Sequence, residues 1–77
     1  MVVKVTCLKN KHVVVYHDCE RIEKGMFWDD DLECLIAAHK LFLANDETAT
    51  FRNGFRIEMY CNEWEYENEF SRLNIVV

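Results

Sequence analysis

Residues 30–44 read Asp-Asp-Leu-Glu-Cys-Leu-Ile-Ala-Ala-His-Lys-Leu-Phe-Leu-Ala, and the fold class depends on how this segment folds. Aspartate side chains cap the free N–H groups of a helix, and negative charge is favourable near the positive end of its dipole. Apolar residues then recur at helical spacing, at Leu32, Leu35, Ile36, His39 and Leu43. We therefore predict one main helix over about 30–44, ending near Asn45.

This predicted helix is apolar well beyond the width of one stripe. Four further residues, Cys34, Ala38, Leu41 and Phe42, extend the apolar surface. A helix that is apolar nearly all round needs cover on two sides, and a chain of 77 residues has little material for both. We therefore predict a homodimer whose interface is formed by Cys34, Ala38, Leu41 and Phe42.

The segments before and after the helix have strand character. Val2–Cys7 and His12–His17 are rich in β-branched residues and predict an N-terminal hairpin. Asn53-Gly54 marks a second hairpin, and a three-residue loop that ends in a left-handed Gly54 places Phe51 opposite Phe55. The loop length is chosen because it collects the apolar residues on one face.

The last third of the chain contains a second helix signal. Asn62 and Glu65 have the spacing of an N-cap and the third helical residue, which predicts a short helix over about 63–72 and a last strand at 73–77. An extended acidic strand reaching Glu67 is the alternative. Taken together, the elements predict an α+β fold, with a mainly antiparallel sheet in a single domain over 1–77.

The charge of the chain is unevenly distributed and argues against direct binding to nucleic acid. The net charge is −5, and residues 25–77 carry eleven acidic and four basic groups. Nucleic-acid-binding proteins usually present a basic patch, so we expect no direct contact with nucleic acid or with an anionic membrane. The chain opens without the pattern of a signal peptide, which predicts a cytoplasmic location with reduced cysteines.

No set of residues in the sequence has the pattern of an enzyme or a metal site. The four cysteines and three histidines lack the close pairs that zinc sites use. Cys34 and His39 are five residues apart, which separates their side chains on a helix, and two glycines cannot form a phosphate-binding loop. We therefore predict a non-enzymatic protein without metal or cofactor.

The segment from Glu58 to Glu69 alternates acidic and aromatic residues and contains no lysine or arginine. Carboxylates beside rigid rings suit docking on a basic protein surface. The predicted partner-binding residues are Asp30, Asp31, Glu63, Glu65, Glu67 and Glu69 for charge, with Trp64 and Tyr66 as anchors. The ordinary reading is that the rings are core and the glutamates only solvate the surface.

Small, acidic, aromatic-rich chains of this kind are similar in size and composition to the inhibitors that bacteriophages make against host or defence proteins. That similarity implies an inhibitor or modulator that mimics nucleic acid and occupies a basic groove of its partner. The alternative function is an adaptor or regulatory subunit that docks through the apolar helix face in a larger complex.

Overall fold

The computed structural model describes all of residues 1–77, and its secondary structure is mostly strand, at 58% of the chain against 10% helix. The seven strands are β1 (Val2–Cys7), β2 (Val13–Tyr16), β3 (Cys19–Asp29), β4 (Cys34–Leu43), β5 (Thr48–Phe51), β6 (Phe55–Tyr60) and β7 (Leu73–Val76). The one α-helix, α1, spans Glu63–Glu67, and a 3₁₀ turn spans Ala44–Asp46. Neither helical segment has the length or apolar character needed to cross a membrane.

The predicted main helix over 30–44 is wrong, and with it the α+β fold class. Residues 34–43 form strand β4, which pairs on one side with β3 and on the other with β5. An apolar run with almost no polar positions suits a central strand. Successive side chains of a strand point to opposite faces, so both faces can be apolar. The same run would leave a lone helix with apolar surface that nothing covers.

Asp29, Asp30 and Asp31 lead into a hairpin turn instead of starting a helix. The side chain of Asp29 accepts hydrogen bonds from the backbone N–H groups of Asp31 and Leu32, at 2.9 and 3.0 Å. Glu33 then adopts a left-handed conformation, with φ of 52°, and the chain returns as β4. Aspartate can satisfy these N–H groups in a turn as well as in a helix cap, so its presence alone did not distinguish the two.

Two antiparallel sheets make up the fold. The four-stranded sheet has the order β2-β1-β6-β7, and the three-stranded sheet has the order β3-β4-β5. The predicted N-terminal hairpin is confirmed as β1 and β2. The predicted hairpin between residues 51 and 55 is wrong, because β5 pairs with β4 while β6 pairs with β1 and β7. Gly54 is left-handed as expected, with φ of 90°, but its loop crosses from one sheet to the other.

The hydrophobic core lies between the two sheets. Its fully buried members are Val3, Val5, Cys19, Leu41 and Ile57. The rings of Phe51 and Phe55 meet edge to face at 5.1 Å, next to the loop that joins the sheets. These two residues belong to different sheets, so their contact helps to tie the layers together.

The predicted second helix exists in shorter form, as α1. Asn62 is its N-cap, and the side chain of Asn62 accepts a hydrogen bond of 2.9 Å from the backbone N–H of Glu65. The helix ends after Glu67, where the Asn68 side chain donates to the carbonyl of Trp64. The capping signal therefore located the start of the helix correctly, while 68–72 form a connection to β7.

Candidate functional site

A pocket lies between α1 and the outer face of the four-stranded sheet. Its cavity volume is about 430 Å³. We call it the acidic pocket, and its lining residues are Lys4, Glu58, Tyr60, Tyr66, Glu67 and Glu69. Strand residues form the floor and the helical segment forms the wall, so the pocket depends on the position of α1.

The floor of the acidic pocket comes from β1 and β6. Lys4 lies opposite Glu58 in the antiparallel register, and Glu58 and Tyr60 project to the same face because they are two residues apart. The Tyr60 hydroxyl donates to Oε2 of Glu58 at 3.1 Å. Burial, reinforced by the Glu58 charge, raises the pKa of Tyr60 to about 12, so the phenol remains a donor well into the alkaline range.

The wall is positioned by aromatic contacts. The ring of Tyr66 meets the ring of Tyr60 nearly at right angles, with a centroid distance of 5.3 Å. The ring of Tyr66 also contacts the imidazole ring of His17, with a centroid distance of 5.8 Å. Glu67 and Glu69 are exposed beside this ring and form no ion pair within the chain. Their carboxylates are therefore available to a group that enters from solvent.

The chemistry of the acidic pocket favours a cation. Three carboxylates and two tyrosine rings line it, and Lys4 is the one cationic residue among the lining residues. A guanidinium or ammonium group gains from carboxylate contacts and from the faces of aromatic rings.

The predicted partner-binding glutamates have different surroundings. Glu65 is buried and accepts hydrogen bonds from Arg72 Nε at 2.6 Å and from the Cys61 backbone N–H at 3.1 Å. Burial disfavours its charge, but these hydrogen bonds outweigh burial and its pKa is lowered. Glu63 forms an exposed pair with His17, at 2.6 Å. Glu65 is therefore occupied within the fold, while Glu67 and Glu69 are accessible.

The predicted binding residues Asp30 and Asp31 lie far from the predicted glutamates in and after α1. β3 runs from Cys19 to Asp29, a length of about 33 Å at the usual rise of a strand. The first end of β3 is close to α1, because His17 contacts Glu63, whereas Asp30 and Asp31 lie in the turn at the other end. The structure thus groups Glu67 and Glu69 with Tyr66 but does not bring Asp30 and Asp31 to them.

The predicted aromatic anchors differ in exposure. Trp64 is 62% exposed, and its ring stacks on Phe70 with a centroid distance of 5.6 Å and an interplanar angle of 22°. Tyr66 is half-buried in the acidic pocket. Trp64 points away from the pocket toward Phe70 and Arg72, with which it shares a separate shallow cleft.

The residues of the predicted dimer interface lie on β4, and their environments differ. Leu41 and Ala38 are buried within the chain. Phe42 is half-buried on the outer face, where the Arg21 guanidinium stacks on its ring at 3.8 Å. Cys34 is exposed at the end of the hairpin. No shared helical face unites these four residues.

Three lining residues, Lys4, Glu58 and Tyr60, were not among the predicted binding residues, and the last two lie on strand β6. Their signal was the alternation of a strand, which projects both side chains to the side opposite Ile57 and Met59. The sequence does not show whether α1 packs on that side, because this depends on the path of the short connection between β6 and α1.

The cysteines and histidines do not assemble into a metal centre. No group of three or more histidine, cysteine, aspartate or glutamate side chains lies close enough to hold a metal ion. The four thiols are separate, with Cys19 buried and Cys34 and Cys61 exposed. Comparisons with protein-family models, with curated proteins and with solved structures found no match.

Proposed function

We propose that this protein is a non-enzymatic interaction module, and that its acidic pocket receives a lysine or arginine side chain from a basic partner protein. The observation that carries the proposal is that Glu67 and Glu69 line one pocket with the half-buried ring of Tyr66 and the buried ring of Tyr60. Carboxylates supply attraction, and fixed rings supply a surface that loses little entropy on binding. Such a module would inhibit or modulate its partner, in the cytoplasm.

The charge of the whole chain supports this function. A net charge of −5 steers a basic partner toward the protein at low ionic strength. A basic groove that normally binds nucleic acid is one partner surface of this kind, and carboxylates can occupy positions that phosphates would take. The similarity in size and composition to phage inhibitors belongs to the same proposal.

An arginine-rich peptide serves as the test ligand. In the variant Glu58→Gln/Glu67→Gln/Glu69→Gln, three pocket charges are lost, and we expect peptide affinity to fall by about tenfold at low salt. The matched control is Glu20→Gln/Glu33→Gln/Glu47→Gln, which removes the same charge from exposed residues elsewhere. Equal losses in the two triple variants would contradict a localised site.

The peptide should also perturb the tyrosine rings. We expect chemical-shift changes of Tyr60 and Tyr66 on titration, and their loss in the pocket variant. Affinity should fall as salt rises, because exposed charges are screened beyond about 8 Å at physiological ionic strength. Salt-independent binding would favour the alternative function, an adaptor that docks through apolar surface, although the helix on which that alternative relied is strand β4.

A further inference from the structure

The β3–β4 hairpin extends beyond the rest of its sheet. β5 pairs with β4 only at residues 39–42, so residues 34–38 and 25–29 form a ribbon of two strands. Two-stranded ribbons are at best marginally stable in water by themselves. Contacts with a further strand or another surface would therefore stabilise this part of the hairpin.

The ribbon exposes apolar side chains on its inner face. Trp28 and Leu35 form one cross-strand pair, at 61% and 59% exposed. They lie on the same face as Ile22 and Leu41, which pack in the core, because alternate residues share a face. The face that builds the core thus continues past the core and remains uncovered.

The outer edge of β3 is also open. β3 is the first strand of its sheet and has a neighbour on one side only, β4. The backbone of Met1 exchanges hydrogen bonds with Cys19 at the start of the strand, at 2.9 and 3.2 Å. Residues 20–29 have no such partner, and an open edge of this length is a template for another strand.

We propose that a second copy of this chain pairs with β3, antiparallel and centred on Gly25, to form one continuous six-stranded sheet. A two-fold axis perpendicular to the sheet keeps equivalent faces on the same side. Only residues separated by an even number can then lie opposite each other, which leaves few registers to compare.

The register centred on Gly25 is self-complementary. It places Arg21 opposite Asp29 of the second copy, and this ion pair occurs twice. It also places Ile22 opposite Trp28 of the second copy, which extends the apolar row of the inner face across the new boundary. Glu20 and Asp30 fall at the β3 bulge and in the turn, outside the regular pairing.

Registers centred one or two residues earlier oppose like charges. With Lys24 or Glu23 on the axis, each residue faces its own copy, which is destabilising. A register centred on Met26 sets Glu23 against Asp29. None of these three places an oppositely charged pair across the boundary.

A register centred on Phe27 would pair only residues 25–29. The register centred on Ile22 also opposes unlike charges, Arg21 against Glu23 and Glu20 against Lys24, and is the remaining rival. It would pair Cys19 with Gly25, but the backbone of Met1 already occupies the edge at Cys19. Its pairing would also be short, and it would leave the ribbon uncovered. The register centred on Gly25 uses residues 21–29 and avoids this conflict.

The overall charge does not oppose this association strongly. Residues 20–29 carry three acidic and two basic side chains, although the chain as a whole has a net charge of −5. Most of the excess acid lies on other elements, including the acidic pocket. The proposed edge is therefore nearly neutral, unlike the surface offered to a basic partner.

Charge reversal at the two paired positions tests the proposal by analytical sedimentation from micromolar to near-millimolar concentration. Wild type should dimerise, and Arg21→Glu or Asp29→Arg should each weaken the dimer by about tenfold, since every reversal affects two symmetric pairs. The double variant restores both pairs with the signs exchanged, so its dimer should recover to within about threefold of wild type.

Matched controls separate this effect from general electrostatics and from misfolding. Arg56→Glu, at an exposed residue of β6 in the other sheet, changes the net charge as much as Arg21→Glu does and should leave the dimer intact. Asp29 also accepts hydrogen bonds from the N–H groups of Asp31 and Leu32 in the turn, so Asp29→Asn, which keeps the acceptor oxygen and removes the charge, should also weaken the dimer while circular dichroism reports the wild-type fold. Hydrogen exchange in wild type should show amides of 21–29 becoming more protected as concentration rises.

Three results would overturn the proposal. A monomer at every concentration would exclude the dimer. Asp29→Arg dimerising like wild type would exclude the register centred on Gly25 and favour the one centred on Ile22. Asp29→Asn dimerising like wild type, or a double variant that keeps the wild-type circular dichroism spectrum yet is as weak as the singles, would show that Arg21 and Asp29 do not meet.

Discussion

Arg72 Nε donates to Oε1 of Glu65 at 2.6 Å, and the carboxylate is buried while the guanidinium side chain is mostly exposed. This pair connects α1 to the segment before β7. The backbone N–H of Arg72 also donates to the carbonyl of Met59, at 2.7 Å, which fixes that segment against β6. The wall of the acidic pocket is therefore held in place by a residue that itself lies outside the pocket.

Replacement of Glu65 with alanine should destabilise the protein. The change removes the ion pair with Arg72 and leaves the partly buried Cys61 N–H without its acceptor, and a buried N–H with no acceptor is costly. We expect the melting temperature followed by circular dichroism to fall by several degrees. Glu63→Ala is the matched control, because its His17 pair is exposed, and it should change the melting temperature little. Equal shifts would contradict a structural role for Glu65.

The same carboxylate should contribute to acid sensitivity. Its pKa is lowered from the ordinary value of 4.5, so the folded state binds its proton less readily than the unfolded state. Its stabilisation is therefore present above about pH 4.5 and is lost as pH falls through the lowered pKa. Urea unfolding across this range should show a shallower acid dependence in Glu65→Gln than in wild type. An identical dependence would mean that other groups account for the acid sensitivity.

Tyr60 should produce the opposite dependence at alkaline pH. Its pKa rises from 10 to about 12 through burial and the nearby Glu58 charge. The unfolded phenol ionises first, so the stabilising contribution is complete below pH 10 and is lost as pH rises toward 12. Phenolate absorbance should show a late-titrating tyrosine that disappears in Tyr60→Phe. Its persistence in that variant would assign the late titration to another residue, for which Tyr16 is a candidate because burial raises its pKa too.

The cysteines should differ in alkylation rate. Hydrogen bonds from the backbone N–H groups of Asn10 and Lys9 lower the pKa of Cys7, whereas burial raises the pKa of Cys19. Thiolate is the reactive form, so we expect Cys7 to be modified early near neutral pH and Cys19 only on unfolding. Peptide mapping by mass spectrometry after timed alkylation measures both. Modification of Cys19 at the rate of Cys7 in the native protein would contradict the structure.

Two leucines on the same face of β4 give a direct test of the packing. Leu41 is fully buried, while Leu35 is 59% exposed on the ribbon. Leu41→Ala should lower the free energy of unfolding by about 3 kcal/mol, as for other buried leucines. Leu35→Ala should lower it by less than about 0.5 kcal/mol under dilute conditions. Comparable effects of the two substitutions in urea denaturation would mean that Leu35 packs in the core as Leu41 does.

The expectations that held depend on contacts between residues near each other in the chain. The β1–β2 hairpin follows from two β-branched runs and a polar turn, and the start of α1 follows from the spacing of Asn62 and Glu65. The positive φ of Gly54 follows from the Asn-Gly pair. In each case the signal lies within one short segment of the chain, and the two strands of the hairpin are neighbours in sequence.

The expectations that failed depend on partners distant in the chain. Residues 34–43 are a strand because β3 and β5 supply backbone hydrogen bonds along both of its edges. Phe51 and Phe55 contact each other as expected, yet their strands pair with β4 and β1 rather than with each other. Local signals were the same for either outcome, so they did not decide it.

Composition and local chemistry alone determined that this chain folds, that it is acidic, and where its turns and its short helix begin. Only the tertiary structure decided that the apolar segment is a central strand, that Glu65 is buried while Glu67 is free, and that Asp30 and Asp31 lie at the end of β3 far from α1. The physical reason is that an apolar run can bury itself in several ways. The choice among them depends on which distant strands complete its hydrogen bonds.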